Sequence, residues 1–545
     1  MRKINWQKWI CTIAFTGIMI IDWTRGSLIW HYWAEAINLT GVILAVVMAC
    51  GFTWKKQSIW KYLLWIAVWA AGTGAGYLIW RNAPGTVFEG QYFTAALSVG
   101  ALGIIAVRMF QEKDFFLAVR RRKRPMVVLT AALAFLMTTS RSGEIWPVWF
   151  FFMFGMFYLI RYSPKESEAL WETLADGVII GFFLIQSFAF GFRPYDVVRY
   201  SGAYANCNMN ALFYIVTYIM VLYKLHCLRL WDMNAPGRKN RRFLLIFYGG
   251  LAGGLFNLTL FTISRTAFLV IVGVTFIYAG LEFVMKKRMQ TAKFVRMLVG
   301  GCLTIVLTFP LVYLCIRYFP TILHHPVWWE GEYSTDKVHS FDPPNSDKYV
   351  SLEEFFSEFL GRMSLINAGR EEEISLEQEK IYSLFAGPVS YSTALAAESV
   401  SADAGLLQGS DADSSGKIRI EIFKKYMEGL NFLGHSPSEG YFQITETYHS
   451  WHAQNVFLQI AFFYGIPAGL CFVVLIVWIG KKALLTAYYG EEKHALLPFL
   501  VWLVFVGFGM LECVWYPGQS ILFLICLTPK IWIDAERKQL TKIDS

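Results

Sequence analysis

Three short stretches of this chain hold residues whose types and spacing could do chemistry. In TLFTISRTAFLVIV, Arg265 stands between two apolar runs so close together that the turn joining them is only a few residues long. An ionised side chain at a membrane edge is costly unless it reaches water or finds a partner. A guanidinium there offers a planar fork that matches two phosphate oxygens at once. FRPYDVVRYSGAYANCNMNALF, Phe192 to Phe213, adds Arg193 and Arg199, then Gly202, which permits a tight turn. Asn206, Asn208 and Asn210 follow at the start of the next apolar run. Amides in that place either cap the helix or bind a polar ligand.

The third stretch, Gly434 to Leu470, gathers histidines in GHSPSEGYFQITETYHSWHAQNVFLQIAFFYGIPAGL. If a helix begins near Trp451, then His452, Asn455 and Gln459 fall at i, i+3 and i+7 and form one polar stripe. An imidazole takes a proton near neutral pH, so His452 suits a general base for a hydroxyl, with Glu446 as a second candidate. The plainer alternative is an interfacial histidine bonded to a backbone carbonyl. His449 and His452, with His324, His325 and His339, are also potential metal ligands. No carboxylate or cysteine spacing supports a metal, so none is expected, and no cofactor either.

Such residues must be held by membrane helices. Hydrophobic residues make up 56% of the chain, aromatics 17% and charged residues only 16%, with mean hydropathy +0.42; one water-soluble core would not need this balance. Runs of ~20 apolar residues are long enough to span a bilayer. Fourteen are expected, or twelve at the least: 9–22, 37–54, 59–80, 90–107, 126–139, 145–160, 171–192, 205–223, 243–263, 266–285, 297–316, 455–480, 495–512 and 515–533.

Alternate connecting segments hold 33 of the 49 Lys and Arg, including RRRKR (Arg120 to Arg124) and RKNRR (Arg238 to Arg242). Lysine and arginine near span ends are retained in the cytoplasm, so both termini are placed inside. The short opposite segments carry only Arg25, Arg81, Arg141, Arg193, Arg199 and Arg265. All three stretches therefore face the outer side. The net charge of +9 is mostly this asymmetry, and nucleic acid is not needed as a partner. The N-terminal apolar run lacks a small-residue cleavage site and is read as a retained first span.

The chain is divided into N-terminal spans (1–190), spans bearing the outer arginines (191–318), one large outer loop (319–453) and C-terminal spans (454–545). The loop has 21 Asp and Glu against nine Lys and Arg and contains no cysteine, so no disulfide framework is expected on that oxidising side. Helical periodicity predicts short helices over 349–366 and 418–430. The intervening 386–416 is small, polar and acidic and is expected to lack fixed structure.

At these same stretches, over roughly residues 190–475, the chain resembles the O-antigen ligase and polysaccharide polymerase family of bacterial envelope glycosyltransferases. RYSGAYANCNMNA looks like the family's R-x-x-G followed by N-P-N, with Cys207 in the proline's place. SRTAFL (Ser264 to Leu269) is similar to S-R-[GT]-A-x-[LF], and GKIRIEIFKKY, with Arg419, to G-R-x-x-I-W. Gly434-His435 looks like a later glycine turn, and HAQNVFLQIAFFYGIPAGL resembles H-[AS]-H-N-x-x-L-Q…G-I-x-x-G.

One position departs from that pattern: Gln454 stands where the family usually has His before Asn, and His452 matches the earlier His. Residues two apart point the same way in an extended chain but diverge by roughly 160° on a helix. Whether His452 can substitute thus depends on where the helix starts.

The resemblance implies a GT-C-like, multi-pass enzyme of the bacterial cytoplasmic membrane, working among membrane lipids. Its donor would be a polyprenyl-pyrophosphate-linked glycan, and its acceptor a hydroxyl on a glycan or other envelope molecule. Arg199 and Arg265 are the candidate diphosphate clamp, with Arg193 and Arg419 secondary, and His452 the candidate base. Asn208, Gln454, Asn455 and His449 are candidate substrate-binding residues. The alternatives are a transporter or flippase of lipid-linked oligosaccharide, expected to show repeats or broken helices, and a non-catalytic membrane scaffold.

Overall fold

A computed structural model describes residues 6–24, 59–82, 99–100, 103, 125–142, 164–204, 207–230, 238–285, 291–323, 349–363, 412–444, 449–450, 452–489 and 494–513. Among them the chain is mostly helical. In order come α1 (Trp6–Thr24), α2 (Ile59–Arg81), α3 (Pro125–Thr138), α4 (Pro164–Phe192), α5 (Cys207–Leu230), α6 (Arg238–Phe261), α7 (Arg265–Met285) and α8 (Thr291–Leu323). The loop helices α9 (Leu352–Met363) and α10 (Ala412–Glu428) follow, then a short hairpin, β1 (Phe442–Gln443) with β2 (His449–Ser450). Helices α11 (Val456–Tyr464), α12 (Ile466–Tyr489) and α13 (Leu497–Gly509) come last, and a 3-10 turn at Pro437–Gly440 precedes the hairpin.

Among the described residues six helices, α4 to α8 and α12, are long and apolar enough to cross a membrane, and α1, α2, α3 and α13 hold shorter apolar stretches. The chain is thus a helical, membrane-embedded protein. The expected spans 37–54, 145–160 and 515–533, most of 90–107, and loop residues 386–411 lie outside the described residues.

Burial sorts the helices by position. The apolar stretch of α5 is 89% buried, against 33% for α6 and α7 and 17% for α8. Helix α5 is therefore central, while Val299, Leu303, Val306 and Leu307 of α8 turn an apolar face outward, as lipid requires. Small residues allow close crossings, the usual device where no hydrophobic effect drives helices together. The Thr16 hydroxyl of α1 donates to Gly177 O of α4 at 3.2 Å. Asn257 of α6 donates through Nδ2 to Ile305 O at 2.8 Å and Thr308 Oγ1 at 2.9 Å on α8.

One expected span is corrected. Residues 455–480 do not form a single helix; the run breaks at Gly465 between α11 and α12. Gly465 has φ +93, and a Cβ built there would lie 2.2 Å from Phe432 O. The loop segment 431–435 fills the break: Ile466 N donates to Asn431 O (2.9 Å) and His435 N to Phe463 O (3.2 Å). Both are backbone groups that the interrupted helix would otherwise leave unsatisfied. Gly434 crosses at the same point with φ +79, its missing Cβ 2.2 Å from Phe463 O. Gly434→Ala is expected to cost about 2 kcal/mol or more, from left-handed strain plus this clash. A lowered midpoint of thermal unfolding in detergent checks it.

Candidate functional site

The site is built at the end of the bundle that carries the large loop. Residues 193–204 form a strap from α4 to α5. Arg193 is spent inside it: Nε donates to Gly202 O at 2.6 Å and Nη2 to Ser201 Oγ at 3.3 Å. Gly202, at φ +58, is pressed against Asn210, whose Nδ2 would lie 2.5 Å from an added Cβ. The strap is sewn to the α6–α7 turn, where Tyr200 N donates to Phe261 O at 2.9 Å and Arg199 Nε to Thr262 O at 3.4 Å. It is sewn to the loop as well, by Val350 N donating to Tyr195 O at 3.0 Å just before α9.

From this anchorage Arg199 reaches inward. Its Nη2 donates to Asn208 Oδ1 at 2.9 Å, and Asn208 Nδ2 donates to Glu512 Oε1 at 2.9 Å. The same oxygen accepts from Arg419 Nη2 of α10 at 3.0 Å. Four residues from the strap, α5, the loop helix α10 and the turn after α13 thus form one chain of hydrogen bonds. Arg199, Asn208 and Glu512 are 7%, 4% and 4% exposed, while the Arg419 side chain keeps 21%, so the inner three are nearly dry and their charges interact more strongly than they would in water. Burial lowers the pKa of Arg199; the charges of Arg362 and Arg419 lower it further, while Cys207 and Glu512 act against this. Arg362 of α9 is therefore a third guanidinium in the same field.

Arg265 is the first residue of α7, three positions past the Thr262 carbonyl that receives Arg199, and it is half-buried. The turn that delivers it is strained. Buried Ile263 has φ +46, a rare state for a β-branched residue that costs on the order of 1–3 kcal/mol. The geometry is held by Ile263 N donating to Leu260 O at 2.9 Å and by Ser264 Oγ accepting from Ala267 N at 3.4 Å.

The histidine stretch differs from the expected stripe. Helix α11 begins at Val456, and Asn455 is its N-cap, with Oδ1 accepting from Phe457 N and Leu458 N. Only Gln459 lies on the helix; His452 precedes it on non-helical backbone, with Gln454 at φ +46 and Asn455 extended. The physical reason is capping: with the helix begun at Val456, the amides of Phe457 and Leu458 fall in its first turn, where they have no intrahelical acceptor, and the Asn455 side chain accepts both. Ser450 Oγ donates to His452 O at 2.7 Å, and Ala453 N to Gln459 Oε1 at 2.6 Å, which fixes the local path. Gln454 is buried. His449 stands in the hairpin, its ring stacked on Tyr441 at 4.8 Å.

The two halves of the site meet at 510–513. Asn455 Nδ2 donates to Met510 O at 3.0 Å, and Cys513 Sγ lies 3.6 Å from Gln459 Oε1. The turn that presents Glu512 to the arginines therefore also holds the start of α11, next to His452. Glu512 and Arg362 were missed in the sequence. A lone carboxylate closing the apolar run at 495–512 was the available signal, because ionised groups at membrane depth need a partner. Arg362 pairs with Glu358 at i−4, an ordinary spacing on a helix surface, so nothing in the sequence sets it apart.

Glu446, His324, His325 and His339 lie outside the described residues. His435 is structural: Nδ1 meets Glu439 at 2.9 Å, Nε2 meets Gly429 O at 2.6 Å, and the ring stacks on Phe462 at 4.1 Å. At the opposite, basic end, Glu168, Glu172 and His494 bring potential ligand atoms within 4.8 Å of one another. Lys8 Nζ already meets Glu172 at 2.6 Å there, and Lys224 meets Asp176 at 2.6 Å, which makes this an ion-pair network.

Chemically, the loop-end arrangement can hold an anion. Guanidiniums fixed from several elements, with an amide between them, match the oxygens of a phosphate ester. No protein-family model matches this chain, and no curated protein does.

Proposed function

We propose that this protein is a membrane glycosyltransferase of the O-antigen ligase and polysaccharide polymerase type. It takes a glycan from a polyprenyl pyrophosphate and moves it onto an acceptor hydroxyl at the outer face of the bacterial cytoplasmic membrane. In this reading fourteen spans, both termini inside, carry a GT-C-like site. The observation that supports it most is the largely buried network Arg199–Asn208–Glu512–Arg419, at the loop end of an apolar helical bundle and joined through 510–513 to the segment bearing His452.

In the transfer, the acceptor oxygen bonds to the anomeric carbon as that carbon's bond to the diphosphate breaks. Charge develops on the departing diphosphate, where preorganised guanidiniums stabilise it more than they stabilise the intact donor. Arg199, Arg265 and Arg419 do this work, with Arg362 adding to the field. The acceptor hydroxyl gives its proton to His452. Arg193 acts at one remove, by holding the strap.

Deleting the gene and sizing lipid-linked and surface glycan tests the reading. Loss of long surface glycan is expected, with short lipid-linked repeats accumulating for a polymerase and full-length unattached chains for a ligase. A copy carrying Arg265→Lys should insert in the membrane and fail to restore the profile, because lysine keeps the charge and loses the fork. An unchanged profile on deletion would favour the scaffold.

A further inference from the structure

We infer that Glu512 is a built-in counter-anion that the diphosphate of the donor displaces, so that an empty site is held together by the protein's own carboxylate. This rests on the diphosphate reading above and assigns a role to a residue outside it. Two guanidiniums, Arg199 through Asn208 and Arg419 directly, are brought to one carboxylate in surroundings with little water, where like charges repel strongly unless an opposite charge intervenes. Glu512 supplies that charge. One oxygen, Oε1, takes both Asn208 Nδ2 and Arg419 Nη2, and through Asn208 it fixes the reach of Arg199.

A carboxylate and a phosphate offer the same kind of acceptor to a guanidinium fork. A diphosphate brings more negative charge than Glu512 does, and once it has entered, the carboxylate is surplus and is repelled. Glu512 lies on the turn just past the end of α13, with Glu512 N donating to Phe508 O at 2.7 Å. Release has a direction, since 510–513 is bonded to Asn455 and Gln459. Filling the anion site would therefore shift the start of α11 beside His452, coupling donor occupancy to the placement of the base.

The full chain in nanodiscs, titrated with inorganic pyrophosphate, tests this. Glu512→Gln keeps the shape and removes the competing charge, so it is expected to bind on the order of tenfold more tightly than the unaltered chain. Polyprenyl diphosphate added to the bilayer should drive the pyrophosphate off. In the unaltered chain, saturating pyrophosphate should speed amide hydrogen exchange over 510–513, a readout that holds even if the variant fails to insert. Equal or weaker binding by Glu512→Gln, with binding abolished in Arg199→Ala, overturns displacement and leaves the diphosphate site standing. So does unchanged exchange over 510–513 in the saturated chain. If polyprenyl diphosphate does not compete, the site serves a soluble phosphate and the inference fails. Binding by neither protein overturns both this inference and the reading on which it rests.

Discussion

Replacing Arg199 by Lys is expected to lower glycan transfer by about 10²–10³-fold, the usual cost of removing one preorganised donor from a developing negative charge. The guanidinium uses two nitrogens at once, Nε toward Thr262 O at 3.4 Å and Nη2 toward Asn208 Oδ1 at 2.9 Å. A lysine has one nitrogen and can satisfy one of these. Whichever it chooses, either the α6–α7 turn that presents Arg265 keeps only the backbone tie from Tyr200 N to the strap, or Asn208 loses the partner that orients it toward Glu512. Because Arg199 is buried, the variant should also lower the unfolding midpoint, and transfer must be measured per inserted molecule. Transfer within threefold of the unaltered chain would show that the fork is not needed.

His452→Ala is expected to lose about 10²–10⁴-fold in transfer, the range for a positioned general base, while still binding the lipid-linked donor. The split between chemistry and binding is the informative part. The hydrogen bonds that join Arg199, Asn208, Glu512 and Arg419 do not run through His452, so its removal leaves them in place. A change in donor affinity equal to the change in rate would mean that His452 holds the donor. Unchanged product formation would move the base elsewhere, with Glu446 or His449 next in order.

Much of the architecture was legible because membrane helices announce themselves by length and hydropathy: the six long apolar helices fall on runs marked out in the sequence. Arg265, between two apolar runs, is visible because its cost demands a reason, and Arg193 and Arg199 because few arginines stand in the short outer segments. The start of α11 was not legible. His452, Asn455 and Gln459 fit a helical stripe, and the competing signal, an asparagine able to cap two amides, is short and local. The break at Gly465 was written in Gly-Ile-Pro, glycine where one helix stops and proline near the start of the next, but unbroken hydrophobicity masked it. Glu512 was out of reach for another reason. Its partners lie 304 and 93 positions away, and a pairing across such distances is set by how helices pack.

The most direct test is to give the purified chain, reconstituted in a bilayer, a polyprenyl-pyrophosphate-linked glycan with an acceptor, and to measure free polyprenyl pyrophosphate. Release that falls at least about 100-fold when Arg199 is replaced by Lys is the predicted result. No release from the unaltered chain, or release that the arginine replacement leaves intact, would contradict the account.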